Sequence, residues 1–424
     1  MKKVKEGYKI SSKGVIPEDW KVVSFKQCIN ISNGQVDPKE EPYCNMKHIG
    51  PGNIEKFTGK LLYVNTAKED MQTSGKYLFN NKDVLYGKIN PQLGKVAYPQ
   101  YEGICSADMY PMRANEAYIK PLFLKYLLLS NDFFKYSVSV SMRTGMPKIN
   151  REELNLYDLL LPTIEEQDKI ASILSIVDEQ IDNVDELIEK NKELKKGLMQ
   201  QLLTKGIGHT KFKKTEIGEI PEEWEVKKSS EVFNIITDYV ANGSFASLAE
   251  KVKYKESEDY AILVRLTDYK NNYKGPFIYV DKEAYDFLNK SRLEKNDIII
   301  ANVGAYAGYT FKAPNIEKPI TLGPNAILVR SIQNREFIYY WLSSDIGQKA
   351  LKEIISTTAQ PKFNKTDFKK IQLPIPNLEE QEKIALILSE VDKKIEEYEN
   401  KKQKLEELKR GLMQQLLTGK IRII

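Results

Sequence analysis

Two rhythms of hydrophobic and polar residues alternate along the chain. From Ile170, apolar residues recur at Leu174, Val177, Ile181, Val184 and Ile188, in steps of four and three. A second series runs through Ile384, Leu388, Val391, Ile395 and Tyr398 and resumes at Leu405. This spacing predicts two long helices with a heptad seam of the coiled-coil kind. Pro162 and Pro376 stand just before each series, acidic residues fill each first turn, and Gly206 and Gly419 follow the last apolar turn, all marks of helix boundaries. About 39 residues per helix correspond to a rod of roughly 58 Å. Asn191 and Lys402 interrupt the seam. They are either a register-setting polar layer or, the reading preferred here, the place where the rods diverge or face another subunit.

The remaining segments predict mixed α/β structure. Short β-type runs bounded by turns begin at Asp83, Tyr260, Asn296 and Asn325, rich in the branched and aromatic residues that strands favour. Amphipathic helices are expected from Pro121 (PLFLKYLLLSNDFFKYS) and from Arg335 (REFIYYWLSSDIGQKALKEII).

An internal repeat organises these elements. The helix beginning EEQDKIASIL at Glu165 returns as EEQEKIALIL at Glu379, an offset of 214 residues that holds without a gap through GLMQQLLT. The same offset pairs Pro147, Lys148 and Asn150 with Pro361, Lys362 and Asn364, Asp83 with Asp297, and Gly94 with Gly308. Farther upstream the register drifts, yet IPEDW at Ile16 still answers IPEEW at Ile220. The helices are nearly identical and the globular parts strongly diverged, so one shape is retained while two surfaces differ. The expected fold is α+β: two mixed α/β domains separated by two long antiparallel coiled-coil helices, related by a pseudo-twofold repeat. The expected boundaries are 1–150 and 211–365 for the globular domains, and 151–210 and 366–424 for the helical spacers.

Composition narrows the chemistry. The chain of 424 residues has 41% hydrophobic and 29% charged residues, as expected of a soluble folded protein. No apolar run approaches the roughly 18 residues a bilayer requires, and the basic start lacks the apolar core of a secretory signal. Cys28, Cys44 and Cys105 show no metal-binding or disulfide spacing, which predicts a cytoplasmic setting. The net charge of +5 is unevenly placed: residues 1–150 carry +8, 151–210 carry −6, 211–365 carry +2 and 366–424 carry +1. A basic first block suits a phosphate-facing surface or is simply lysine-rich. Catalytic motifs are missing. Asn90-Pro91-Gln92-Leu93 lacks the second proline and the aromatic of an amino-methyltransferase motif, Gly50-Pro51-Gly52 lacks a third glycine, and Gly59-Lys60 lacks the rest of a phosphate loop.

Together these features resemble the specificity subunit of type I restriction–modification systems. The residues carrying the resemblance are the duplicated P-x-x-x-E-Q element (Pro162, Glu166, Gln167; Pro376, Glu380, Gln381), the two L-K-x-G-L-M-Q-Q-L-L-T closures and the two I-P-E-x-W openings. The resemblance covers essentially the whole chain. It implies two target-recognition domains that each read half of a split double-stranded DNA site, and helices that act as a ruler. It also implies two docked modification subunits, which are adenine methyltransferases using S-adenosylmethionine, joined by restriction subunits that use ATP and Mg. No cofactor, metal or catalytic residue is expected in the chain itself, and no membrane partner. The competing classes are a coiled-coil scaffold without a DNA role and a fused enzyme.

Candidate DNA contacts are polar loop residues, because phosphates need cations and base edges need paired donors and acceptors. They are Lys88, Asn90, Gln92, Lys95, Arg143, Lys148 and Asn150 in the first copy, and Asn302, Tyr306, Tyr309, Gln360, Lys362 and Asn364 in the second. Ordinary solvated surface is the alternative for each. For subunit docking and the coiled coil the candidates are Glu166, Gln167, Ile170, Leu174, Val177 and Ile181, with Glu380, Gln381, Ile384, Leu388, Val391 and Ile395.

Overall fold

A computed structural model describes residues 6–142, 145–356 and 359–423. The chain forms two compact units, residues 1–186 with 399–424, and residues 187–398. Each long helix, Ile164–Lys205 and Leu378–Leu416, gives its first half to one unit and its second half to the other.

The first unit opens on a hairpin, Tyr8–Ser11 with Gly14–Pro17. Strand Lys21–Ser24 then pairs antiparallel with Asp158–Leu161, closing the base of the first globular domain. Between them lie two sheets. One has the order Ile29–Ile31, Met109–Ala114, Asp83–Gly87, Val96–Ala97, all antiparallel. In the other, Gly103–Cys105 is flanked by His48–Ile49, parallel, and Tyr77–Phe79, antiparallel.

The second unit repeats this plan with other residues. Its hairpin is Phe212–Thr215 with Gly218–Pro221, and its closing pair is Glu225–Lys228 with Gln372–Ile375. One sheet has the order Phe233–Asp238, Ala326–Ser331, Ile298–Ala301, Thr310–Lys312. In the other, Ile320–Leu322 runs parallel to Ala261–Val264 and antiparallel to Arg292–Leu293, and Tyr279–Val280 adds a fourth strand. The repeat therefore persists structurally through the stretch where the sequence register drifts.

Each predicted amphipathic helix is in fact two. Pro121–Leu128 and Asn131–Ser141 are separated by Ser130, whose hydroxyl accepts from the Phe133 N–H. Arg335–Ser343 and Asp345–Ile354 are separated by Ser344, which caps Gly347 in the same way. A serine that satisfies an orphan amide starts a new helix at little cost, and an apolar period continuing across it concealed the break.

The seam residues are placed as expected. Ile170, Leu174, Val177, Ile384, Leu388 and Val391 are buried, and Ile181 and Ile395 half-buried. In the first unit, Ile170 and Leu174 join Trp20, Phe25, Tyr126 and Leu416 in one core. In the second, Ile384 and Leu388 join Trp224, Phe337, Trp341 and Leu203.

The helices run antiparallel within each unit. In the first, Lys409 meets Asp178 at 2.5 Å and Lys402 meets Asp185 at 2.6 Å. In the second, Lys195 meets Asp392 at 2.5 Å. Shifting the Lys195–Asp392 pair by the repeat offset gives the Lys409–Asp178 pair with the helices exchanged, as a pseudo-twofold repeat requires. Lys402 thus marks a helix–helix ion pair rather than a divergence of the rods. Asn191 donates to the Leu187 carbonyl of its own helix at 2.7 Å. Burial alone would push the Asp178 carboxyl up, but Lys125, Lys409 and the Tyr126 hydroxyl outweigh it and hold it below the usual range.

Each main sheet also contains a buried carboxylate. Asp83 takes two hydrogen bonds from Arg113, at 2.7 and 2.9 Å, and Asp297 takes two from Arg330, at 2.8 and 2.7 Å. Both carboxylates are fully buried. Asp297→Ala would take from a largely buried guanidinium its two-bond carboxylate, leaving it the Arg292 carbonyl at 3.0 Å and Glu294 at 3.4 Å, and would free the Glu294 amide that Asp297 accepts from. The expected cost is about 3–5 kcal/mol, read as a shift in the urea unfolding curve of the full chain. A loss below about 1 kcal/mol, the value of an exposed pair, would show that this pair does not hold the sheet.

Candidate nucleic-acid interface

In each unit two loops are tied side by side by backbone hydrogen bonds. In the first, the Asn90 amide donates to the Pro147 carbonyl at 2.8 Å and the Ile149 amide to the Lys88 carbonyl at 3.0 Å. In the second, the Gly304 amide donates to the Pro361 carbonyl at 2.8 Å and the Phe363 amide to the Asn302 carbonyl at 3.1 Å. The loop necks agree as well: Gly87 donates to Lys95 at 2.8 Å, and Ala301 to Tyr309 at 2.9 Å. Every one of these contacts maps onto its counterpart at the offset of 214. One backbone frame therefore carries two sets of side chains.

The frame requires particular residues. Asn90 has φ 51° and ψ 60°, a left-handed conformation that asparagine tolerates better than most residues. Gly94, at φ 53°, lies against the Phe57 ring, where a Cβ would come within 2.4 Å.

The sequence candidates divide into three groups. Gln92 and Lys148, with Tyr306, Tyr309, Gln360 and Lys362, are exposed on the paired loops. Lys88 is half-buried, its ammonium 5.0 Å from the centre of the Tyr110 ring, with the Arg151 guanidinium at 5.4 Å from the same ring. A second group serves the fold. Asn150 caps helix Arg151–Asn155 by accepting from Glu153 at 2.8 Å, and Asn364 caps Lys365–Phe368 by accepting from Asp367 at 2.9 Å. Lys95 is turned inward onto the Ile54 carbonyl, and burial lowers its pKa. Asn302 donates to the Phe363 carbonyl at 3.3 Å. In the structure these four side chains hold the loops in place, at helix starts and strand ends. Arg143 lies outside the described residues.

Two features were missed. Lys270 sits beneath Tyr306, its ammonium 2.9 Å from the ring centre. Tyr269 packs at 6.0 Å from Tyr309 and 5.2 Å from Phe311. The TDYKNNYK segment is far from the loop in sequence, and no pattern signalled that the fold brings it there.

Apart from the half-buried Ile181 and Ile395, the docking and coiled-coil candidates lie in the interior of the two units. Glu166, Gln167, Glu380 and Gln381 are buried within their own units. Gln167 accepts from the Lys120 amide at 2.9 Å and donates to the Tyr118 carbonyl at 2.8 Å. Gln381 accepts from the Asn334 amide at 3.0 Å and donates to Gln333 at 2.9 Å. Glu166 receives the Trp20 indole N–H at 2.8 Å and Arg422 at 2.8 Å. Glu380 receives the Trp224 indole N–H at 3.0 Å and pairs with His209 at 2.9 Å. The E-Q and I-P-E-x-W motifs are thus halves of one latch that fixes a globular domain to the start of its helix. Their hydrogen-bonding groups are engaged within the chain. With the buried Ile170, Leu174, Val177, Ile384, Leu388 and Val391, they belong to the interior. The apolar residues exposed on the helices are others, among them Ile176 and Leu408 in the first unit and Leu194 and Leu386 in the second.

A duplicated recognition domain latched to a long helix defines a class, and the comparisons with known proteins agree on it. The type I restriction modification DNA specificity domain matches residues 17–195 and again 221–407. The chain belongs to this family: it is a specificity subunit of a type I restriction–modification system. Two similar proteins are from Methanocaldococcus jannaschii. One, provisionally named the MjaX specificity subunit of a type I restriction enzyme, is 31% identical over 440 residues, covering 99% of this chain and 97% of its own. The other, the type I restriction enzyme MjaVIII specificity subunit, is 30% identical over 427 residues, covering 96% and 94%. The crystal structure of a type I restriction–modification S subunit from M. genitalium shares the fold, with TM-score 0.56 and 17% identity over 96% of this chain and 97% of that one. Among the described residues no helix is long and apolar enough to cross a membrane, and no cluster of potential metal ligands occurs.

Proposed function

We propose that the two loop pairs, residues 88–95 with 145–150 and residues 302–309 with 359–364, are the surfaces through which this chain reads the two halves of a split DNA target. The observation that carries this reading is the shared backbone frame with diverged side chains. A conserved geometry presents each loop to the duplex in the same way, and the side chains decide which bases fit. Lys148 and Lys362, exposed beside the loops, supply positive charge for phosphates. Such contacts set position and affinity without reading sequence.

In this reading the long helices keep the two readers at a fixed separation. They also carry two modification subunits, adenine methyltransferases that bring S-adenosylmethionine, and through them the ATP- and Mg-dependent restriction subunits. The exposed Ile176, Leu408, Leu194 and Leu386 give the helices apolar positions for such partners. The chain itself performs no chemistry and binds no cofactor, and it works in the cytoplasm.

The purified chain is expected to transfer no methyl group from S-adenosylmethionine and to leave DNA uncut. Together with its modification subunit it directs adenine methylation to one split sequence. Radiolabelled methyl transfer separates the cases, and labelling of DNA by the chain alone would overturn the non-catalytic assignment.

A further inference from the structure

At the repeat offset, Gln92 and Tyr306 fall on the same place of the same loop, one residue before the amides of Leu93 and Ala307, which close the turn onto Asn90 and Gly304 at 2.9 Å in both units. Both side chains are exposed. Their chemistry differs sharply. The Gln92 carboxamide donates one hydrogen to the Asn90 side-chain oxygen at 3.2 Å. That contact orients the amide and, among the described residues, leaves its second N–H and its oxygen free as an adjacent donor and acceptor. Tyr306 presents an aromatic ring, 53% exposed, with Lys270 on one side.

We propose that Gln92 and Tyr306 are equivalent specificity-determining residues. Gln92, positioned by Asn90, pairs with an adenine edge in the major groove of one half-site, and Tyr306, backed by Lys270, makes apolar contact with a thymine methyl group in the other. The proposal rests on the reading of these loops as DNA contacts. Adenine presents the N7 acceptor and N6 amino donor that a free carboxamide matches in two bonds, whereas thymine offers a methyl group suited to a ring. Lys270 adds a cation close enough to the tip to meet a neighbouring phosphate while remaining stacked on tyrosine. Asn90 is a positioning residue: its side-chain oxygen fixes the plane of the Gln92 amide.

The test uses the full chain expressed with its modification subunit, with methylated adenines mapped across a genome. Gln92→Ala is expected to relax one A·T position of one half-site, with discrimination there falling about 5- to 150-fold. The other half-site stays unchanged. Asn90→Gly keeps the left-handed backbone but removes the acceptor, and should weaken the same preference. Asn90→Asp, which retains an acceptor oxygen, should restore it. Tyr306→Gln is expected to alter one position of the opposite half-site. An unchanged motif with Gln92→Ala, or relaxation in both halves, would overturn the assignment of these residues. A wild-type chain that directs no split motif would overturn the parent reading as well.

Discussion

Lengthening both long helices by four residues is expected to leave the two half-sites intact and move them apart. The insertions belong after Glu189 in one helix and after Glu397 in the other. These points lie between the Lys402–Asp185 pair of the first unit and the Lys195–Asp392 pair of the second. Four residues add about 6 Å and roughly one turn, and they approximate the helical period closely enough to act as a stutter in the seam. Because each unit is antiparallel, a single insertion would offset one helix against its partner. A matched insertion avoids that conflict. Six ångströms is nearly two base-pair steps, taking the axial rise as about 3.4 Å, so the expected spacer grows by about one or two base pairs. Binding weakens where the accompanying rotation is not absorbed by DNA twist. The methylated motif of the doubly inserted chain measures this. A folded, active variant that retains the original spacer would show that the helices do not set the distance.

Much of this arrangement was legible in the sequence, and the reasons are physical. The heptad seam is a one-dimensional signal, since burial at every third and fourth residue follows from helix geometry alone. The repeat doubled that evidence, and its offset of 214 residues also relates the two helix–helix ion pairs that the structure shows. Contacts that depend on folding together distant segments were not legible. Glu166 and Trp20 lie far apart in the chain, and only the fold reveals that their motifs form one latch. Asn150 and Asn364 were ambiguous for a different reason. Asparagine at the start of a short helix and asparagine facing a base look alike in a polar loop. The capping bond to Glu153 or Asp367 distinguishes them. Lys95 is a third case: beside a turn it is a candidate phosphate contact, whereas in the structure its stem folds inward to a carbonyl.

The exchange of one recognition domain is expected to have the largest effect on specificity. Strand Lys21–Ser24 pairs with Asp158–Leu161 through all four residues of each, so the segment between Phe25 and Tyr157 enters and leaves the base at adjacent points. It can be replaced by the corresponding segment of another family member, provided that the incoming segment keeps the contacts of Tyr118 and Lys120 with Gln167 and of Lys125 and Tyr126 with Asp178. The hybrid should therefore acquire a new half-site on one side and keep the old one, with the spacer unchanged. Mutations at separate sites without shared partners act independently, and the same logic applies to whole readers. Sequencing the methylated adenines in cells that carry the hybrid with the modification subunit tests the central claim directly. One altered half-site beside one unaltered half-site, at the original spacing, is the predicted result. A motif changed in both halves, or unchanged in both, would contradict the assignment of two independent readers to this chain.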